Sequence, residues 1–358
     1  MPASTERGQK TLTAHRLRFT VEVETPLELP PWPGGNIRGA LLNALRRHYC
    51  PAPDDPDPGH SARCPVCWLM AREDPAWRWG KNPARPYAIE TEGPAFSLGQ
   101  RFTPGQRFSF DITLFGNAFH LFPYLILALG EMGRTGLGRR LEENRGRRGR
   151  FRLYQAEAVH PLTGERQTIL SPGSTTVHTP QLALDESQVL AYARTLLRQN
   201  PRRLRLTFLS PARIIQEKRL VKEPAFAPLF DRTLERLEAL KTQYGEPSAS
   251  TSDWPDVHAL RACAREVRLV EHETRWVEVR SASRRTGHAT PTSGFVGWAE
   301  YEAEDWAPLL PVLVWAVATH VGKDAVKGNG LIQLFVRGTF TRVPGGIPGG
   351  QKWPLSAI

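Results

Sequence analysis

Near its C-terminus the chain reads His320-Val321-Gly322-Lys323-Asp324-Ala325-Val326-Lys327-Gly328-Asn329-Gly330. Glycines that expose backbone amides, with two lysines beside them, suit the close approach of phosphate oxygens. The stretch follows an apolar segment at 309–319 and precedes another at 331–336, so it joins an expected helix to an expected strand. A P-loop needs Gly-x4-Gly-Lys-Ser/Thr between a strand and a helix, and here both spacing and order differ. Standing alone, the stretch reads as a tight turn with solvated lysines.

A second group of reactive residues is built on cysteine. Cys50, Cys64 and Cys67 cluster, while Cys263 stands apart. Cys64-Pro65-Val66-Cys67 has the spacing of a zinc knuckle, and Cys50 with His60 completes a set of four ligands. A vestigial metal loop is the competing reading. A disulfide scaffold does not suit a cytoplasmic chain of this size.

These groups need a scaffold, and the bulk properties bound it. A chain of 358 residues exceeds one ordinary core, so two domains are expected. The apolar content of 40% and ten tryptophans exclude a disordered chain. A net charge of +11 calls for a polyanionic partner, either nucleic acid or an anionic membrane surface. No run reaches the length of a membrane span and the N-terminus lacks an apolar signal core, so no membrane partner is expected and the chain reads as cytoplasmic.

Residues 1–14 are polar and expected to fray. Alternation predicts a strand at 17–24, and helical spacing of Ile37, Ala40, Leu41, Ala44, Leu45 and His48 predicts a helix at 37–49 capped by Asn36. Arg38, Arg46 and Arg47 fall on its other face. Periodicity then dissolves from 51 to 86, which reads as an insertion outside the core. Strands are expected at 87–89 and 108–114, a buried helix at 119–132 starting near Pro123, a glycine-rich turn at 133–138, an arginine-rich loop, and a strand at 151–159. One helix is expected at 186–198. The rest reads as a strand at 204–208, helices at 226–240 and 257–265, strands around 276–279 and at 295–301, a helix at 305–320 and a strand at 331–336. The tail after Phe340 looks unstructured.

Strand, helix with an early proline, glycine-rich basic loop and strand therefore occur twice. Pro123 matches Pro311, and Gly136 and Gly138 match Gly328 and Gly330. The expected class is α+β: two tandem ferredoxin-like, RNA-recognition-motif-like domains with a cysteine-containing insertion after the first helix. The first spans 15–160 with its insertion at 50–86, a linker with one helix spans 161–200, and the second domain spans 201–342.

Several segments in order resemble the RAMP superfamily of CRISPR systems, and within it the endoribonucleases that cut precursor CRISPR RNA inside its repeats. They are Gly35-Asn36-Ile37-Arg38-Gly39-Ala40-Leu41, the Cys50…Cys64-x2-Cys67 segment, Pro104-Gly105-Gln106-Arg107-Phe108 leading into Leu114-Phe115-Gly116, Gly133…Gly136-Leu137-Gly138, Gly294-Phe295-Val296-Gly297-Trp298 and the loop at 320–330. The resemblance implies cleavage that needs no metal, in which the ribose 2′-hydroxyl attacks the adjacent phosphate and leaves a 2′,3′-cyclic phosphate. Zinc would then be structural only. It also implies CRISPR repeat RNA and the proteins of a CRISPR effector complex as partners.

In the resembling enzymes a histidine at or just beyond the first helix does the chemistry. His48 occupies that position with Tyr49 beside it, and His60 is also in range unless its ring binds zinc. The competing reading of His48 is a helix-end residue that complements the dipole. RNA contacts are expected from Arg38, Arg46, Arg47, Arg134, Arg139, Arg140, Arg147, Arg148 and Arg150, and from His320, Lys323, Lys327, Gly328 and Gly330. For His320 a structural helix cap competes with phosphate contact. Two other functions stay open: a catalytically inert RAMP subunit that holds guide RNA, and a zinc-dependent RNA-binding module outside CRISPR defence.

Overall fold

The computed structural model describes residues 10–55, 57–73, 83–91, 97–247, 256–282 and 289–336. The tail after Phe340 lies outside the described residues.

Strands β1 (Ala14–Val23), β2 (Tyr87–Glu90), β3 (Arg107–Phe115), β4 (Phe151–Val159) and β5 (Arg166–Leu170) form an antiparallel sheet in the order β5-β4-β1-β3-β2. Helix α1 (Gly34–Tyr49) leads from β1 towards β2, and α2 (Phe122–Thr135) from β3 towards β4. After α3 (Glu186–Leu197) the pattern repeats with β6 (Arg203–Ala212), α4 (Phe226–Tyr244), α5 (Val257–Glu266), β7 (Arg268–Val277), β8 (Gly294–Glu302), α6 (Leu310–Thr319) and β9 (Ile332–Val336). The second sheet runs β7-β8-β6-β9. In each half the first and third strands are central and antiparallel to all neighbours, which is the ferredoxin-like arrangement.

Strand periodicity assigns the faces. Leu17 pairs with Ile112 and Ala158, and Phe19 with Phe110 and Ala156, placing these side chains in one core with Ile37, Leu41 and Leu45 of α1 and Leu125, Leu129 and Met132 of α2. Each fully buried aliphatic side chain contributes about 1.5–3 kcal/mol. In the second half Leu204, Leu206 and Phe208 pack with α4 and with α6, all ten of whose residues are buried. The same core takes in Ala14, Ala88 and Phe115 from the first sheet, so the halves share apolar packing.

The structure departs from expectation where local pattern and tertiary packing part. Helix α1 starts at Gly34 with Pro33 as its N-cap, so Asn36 lies exposed in the first turn and caps nothing. The cysteine insertion joins the core: two short helices, Pro58–Arg63 and Pro65–Ala71, bury Val66, Leu69 and Met70 against the first sheet's apolar side. Lys10 and Thr11 do not fray but pair with Glu246 and Pro247. Strand β7 begins at Arg268 because this edge strand, exposed at most positions, shows no alternation to read. Helix α6 begins at Leu310, after a turn in which Asp305 accepts the Ala307 N–H.

Candidate functional site

The apolar stripe of α1 buries Ile37, Leu41, Ala44 and Leu45 and leaves Arg47 and His48 exposed in the last turn. Helix α2 packs beside it. Glu131, the one acidic residue of α2, reaches the end of α1, where its Oε2 lies 3.1 Å from His48 Nε2. His48 keeps 36% of its side chain exposed, against 15% for Glu131. Arg134, one turn further along α2, pairs with the other Glu131 oxygen and remains mostly exposed. Tyr49 is half-buried, its ring edge-on to Tyr124 at 6.0 Å and 6.2 Å from that of His48. An imidazole with one nitrogen on a carboxylate retains Nδ1 for a proton, and the pair sits in a basic, accessible place.

Two residues beyond His48, Cys50 ends α1. Its Sγ lies 3.8 Å from Cys67 Sγ, 3.8 Å from Cys64 Sγ and 3.3 Å from His60 Nε2. All four ligand atoms fall within 4.8 Å of one another, so the group could hold a structural metal. Cys64 is both the last cap of one short helix and the first cap of the next, and Pro65 fixes the turn that brings Cys67 back beside it. Burial, with the Cys50 and Cys64 thiols beside it, pushes the Cys67 thiol up to about 12. The His60 ring therefore lies among the cysteines.

The glycine-rich loop is not an open phosphate cradle. His320 is fully buried and ends α6, its backbone N–H bonding to Ala316 O and its Nδ1 lying 3.0 Å from Asn329 O. It is out of reach of RNA, which corrects the expected contact. Gly328 and Gly330 are likewise buried, both at positive φ. The loop instead docks on the start of α1, where a Cβ on Gly34 would collide with the Lys327 carbonyl. Lys327 pairs with Asp324 at 3.0 Å, a neutralising neighbour overlooked in the sequence, while Lys323 stays exposed. From Gly34, α1 carries His48 about 21 Å away, so the loop and His48 do not form one cluster.

Beneath the loop lies a buried ionic group. Arg16 Nε is 3.0 Å from Glu90 Oε1, which also accepts from Thr113 Oγ1 at 3.0 Å and lies 3.8 Å from His320 Nε2. Burial alone would raise the Glu90 pKa, but Arg16, His320 and Thr113 together hold it at about 2. Arg18 clamps Asp111 through two bonds of 2.7 and 2.8 Å, against the upward push of burial on that carboxyl. Arg236 of α4, half-buried, donates to Thr319 O and Tyr87 O and ties the halves together. Its burial lowers its pKa to about 10.

Several expected RNA-binding arginines have structural duties. Arg38 donates to Tyr87 Oη (2.9 Å) and Met70 O (3.2 Å), bracing α1 against β2 and the second short helix, which removes it from the RNA surface. The arginine-rich stretch is an ordered hairpin of Leu137–Leu141 and Arg147–Gly149, not a mobile loop. Arg148 is half-buried and donates to Gly138 O within that hairpin, so its contact with RNA is also corrected. Arg139 pairs with Glu28 at 2.9 Å and Arg140 donates to Gly146 O, but both remain exposed with Arg147 and Arg150. Arg203 and Arg205 are bound to Glu300 and Glu302. Glu131, Tyr124, Glu90 and Arg16 were not singled out by the sequence; the one available signal was an acid inside the apolar run of α2.

No helix among the described residues is long and apolar enough to cross a membrane. A family model described as an N-terminal domain (AF_1859_N) matches residues 12–182, and that of the CRISPR-associated endoribonuclease Cas6 matches 206–332. No curated protein matches the sequence. Among solved structures, a Cas6 (TTHB231) product complex superposes with a TM-score of 0.53 at 15% identity, covering 90% of this chain and 99% of that one. Thermus thermophilus Cas6 (TTHB231) gives 0.50 at 14% over the same shares. A partial Cas6-RT-Cas1–Cas2 complex gives 0.51 at 16%, covering 92% of this chain and 47% of the other. The structural likenesses carry the fold, and over residues 206–332 the chain is similar to the CRISPR-associated endoribonuclease family Cas6.

Proposed function

We propose that the protein binds CRISPR repeat RNA and cuts it within the repeat, without a metal in the reaction, to release guide RNA. The observation that carries this reading is the exposed His48 beside Glu131 at the end of α1. Nε2–H points to the carboxylate, and Nδ1 takes the proton of the ribose 2′-hydroxyl. The freed 2′-oxygen attacks the adjacent phosphorus in line, the bond to the 5′-oxygen breaks, and that oxygen is protonated as it leaves. The products are a 2′,3′-cyclic phosphate and a 5′-hydroxyl. Tyr49 is the neighbouring group assigned to the leaving oxygen. His60, held among the cysteines, has no part in the proton transfers.

Arg134, paired with Glu131, and Arg46 and Arg47, which precede His48 on α1, are assigned to the charge that builds on the phosphorane. The exposed face of the arginine hairpin, with Arg139, Arg140, Arg147 and Arg150, would track the RNA backbone, since guanidinium groups without aromatic neighbours favour phosphate over base contacts. Lys323 and Lys327 extend that contact from the second half. The occurrence of this fold in a Cas6-RT-Cas1–Cas2 complex supports further protein partners from the same defence system.

The test is to mix the protein with its repeat RNA in EDTA and compare it with His48→Ala. Acid–base catalysis by one residue contributes about 100- to 10,000-fold, and a loss of that size is expected. Undiminished cutting by the variant would sink the assignment. Binding without any cutting by the wild type would favour an RNA-holding subunit.

A further inference from the structure

We propose that Cys50, His60, Cys64 and Cys67 bind one zinc ion, and that this ion fixes the end of α1 from which His48 projects. The geometry is the first argument. Four ligands around zinc at Zn–S of about 2.3 Å and Zn–N of about 2.0 Å make a tetrahedron with edges of about 3.8 Å between sulfurs and 3.5 Å between sulfur and nitrogen. Cys50 Sγ stands 3.8 Å from both other sulfurs and 3.3 Å from the imidazole nitrogen. Disulfides would bring sulfurs to about 2.05 Å. All these cysteines are free thiols, and all three are buried.

The ligand chemistry is the second argument. Three thiolates and one imidazole in a closed tetrahedral set select zinc over the harder divalent cations, and a set of four protein ligands leaves no open position for water. That makes the ion structural. His60 presents Nε2 to the cluster while Nδ1 faces Asp55, 3.8 Å away, the side on which metal-binding histidines take an orienting carboxylate.

The third argument is what the site joins. Its ligands come from the end of α1, from the helix Pro58–Arg63, and from the cap and first turn of Pro65–Ala71. Among the described residues no sheet ladder crosses the segment from Pro51 to Ala71. A metal closing this loop supplies the constraint that strands supply elsewhere, since binding energy at such a site becomes folding energy. Cys50 is two residues from His48, so the same constraint sets the position of the imidazole against Glu131. This second part rests on the proposed role of His48; the zinc site itself does not.

The experiment measures both parts on the full chain. Zinc content of the purified protein is expected at about one ion per chain. Cobalt introduced in its place should give the intense absorption of tetrahedral thiolate coordination. Release of zinc with an organomercurial should then abolish hydrogen-exchange protection at the last turn of α1 and abolish RNA cutting together. His48→Ala should keep its zinc while losing the cut, which separates failure of the site from failure of the catalytic reading. Cys64→Ser should lose zinc; if it fails to fold, the wild-type metal and thiol measurements decide. A folded wild-type chain with no zinc, no cobalt–thiolate absorption and cysteines that react freely with Ellman's reagent would overturn the site. Full cutting and unchanged protection after zinc release would overturn its positioning role.

Discussion

His48 Nε2 lies 3.1 Å from Glu131 Oε2, a contact between the ends of two helices that cross one face of the first sheet. The carboxylate fixes the tautomer of the imidazole and would stabilise its charged form after proton transfer. Glu131→Gln is therefore expected to slow cutting while leaving repeat RNA affinity unchanged. Single-turnover rates and filter binding on the same variant check it. A variant that cuts at the wild-type rate would remove Glu131 from the mechanism.

Exposed arginines of the hairpin should reveal themselves through salt. Replacing Arg147 or Arg150 by alanine should weaken RNA binding and reduce the slope of log affinity against log salt by about 0.7–0.9 for each phosphate left without its arginine. Arg148→Ala should act differently, lowering thermal stability by loosening the hairpin that it buttresses at Gly138. An unchanged slope for the exposed pair would remove the hairpin from the RNA path.

The start of α1 gives a matched pair of glycine tests. Gly34→Ala forces a methyl group into the Lys327 carbonyl and should destabilise the protein by about 1–3 kcal/mol. A Cβ at Gly39, on the same helix, meets nothing within 4 Å, so Gly39→Ala should be neutral or stabilise by up to about 1 kcal/mol. Thermal melts of the two variants decide. Equal melting temperatures would show that the glycine-rich loop does not dock on α1.

How much of this was legible in the sequence follows from what each residue's environment is made of. The spacing of Ile37, Leu41 and Leu45 reveals α1, and Pro123 and Pro311 mark corresponding helices, because local periodicity carries that information. The Cys-x2-Cys spacing likewise marks a candidate set of metal ligands without a fold. Glu131 could not be paired with His48 from the chain alone, since their meeting depends on how α2 lies beside α1. His320 hides its surroundings for the opposite reason: its place after a helix allows the cap that it forms, but beside glycines and lysines nothing shows that α6 is buried on every side and takes its capping residue inside with it. The insertion misleads too, because Val66, Leu69 and Met70 enter a core laid down by distant strands.

The buried ions between the halves set an acid limit. Glu90 is held at about 2, below the ordinary glutamate value of about 4.3, so its stabilisation is complete above that ordinary value and is lost as pH falls towards 2. His15, stacked on Phe119 and lowered by burial to about 4, adds a loss between about 6.5 and 4, where the unfolded chain takes up the proton first. Glu90→Gln should strand the buried Arg16 charge and cost about 3–5 kcal/mol at neutral pH. His15→Phe should flatten the upper part of the stability curve. Denaturant titrations between pH 7 and pH 3 check both, and a flat wild-type curve would contradict the ionic core.

That the RNA supplies its own nucleophile is the step on which the proposed reaction rests. It is tested by single-turnover cutting in EDTA of a repeat RNA carrying one 2′-deoxy nucleotide immediately before the scissile phosphate. No cleavage of that RNA is expected, and a 2′,3′-cyclic phosphate is expected on the product of the unmodified one. Cleavage of the deoxy substrate at the same bond would contradict it.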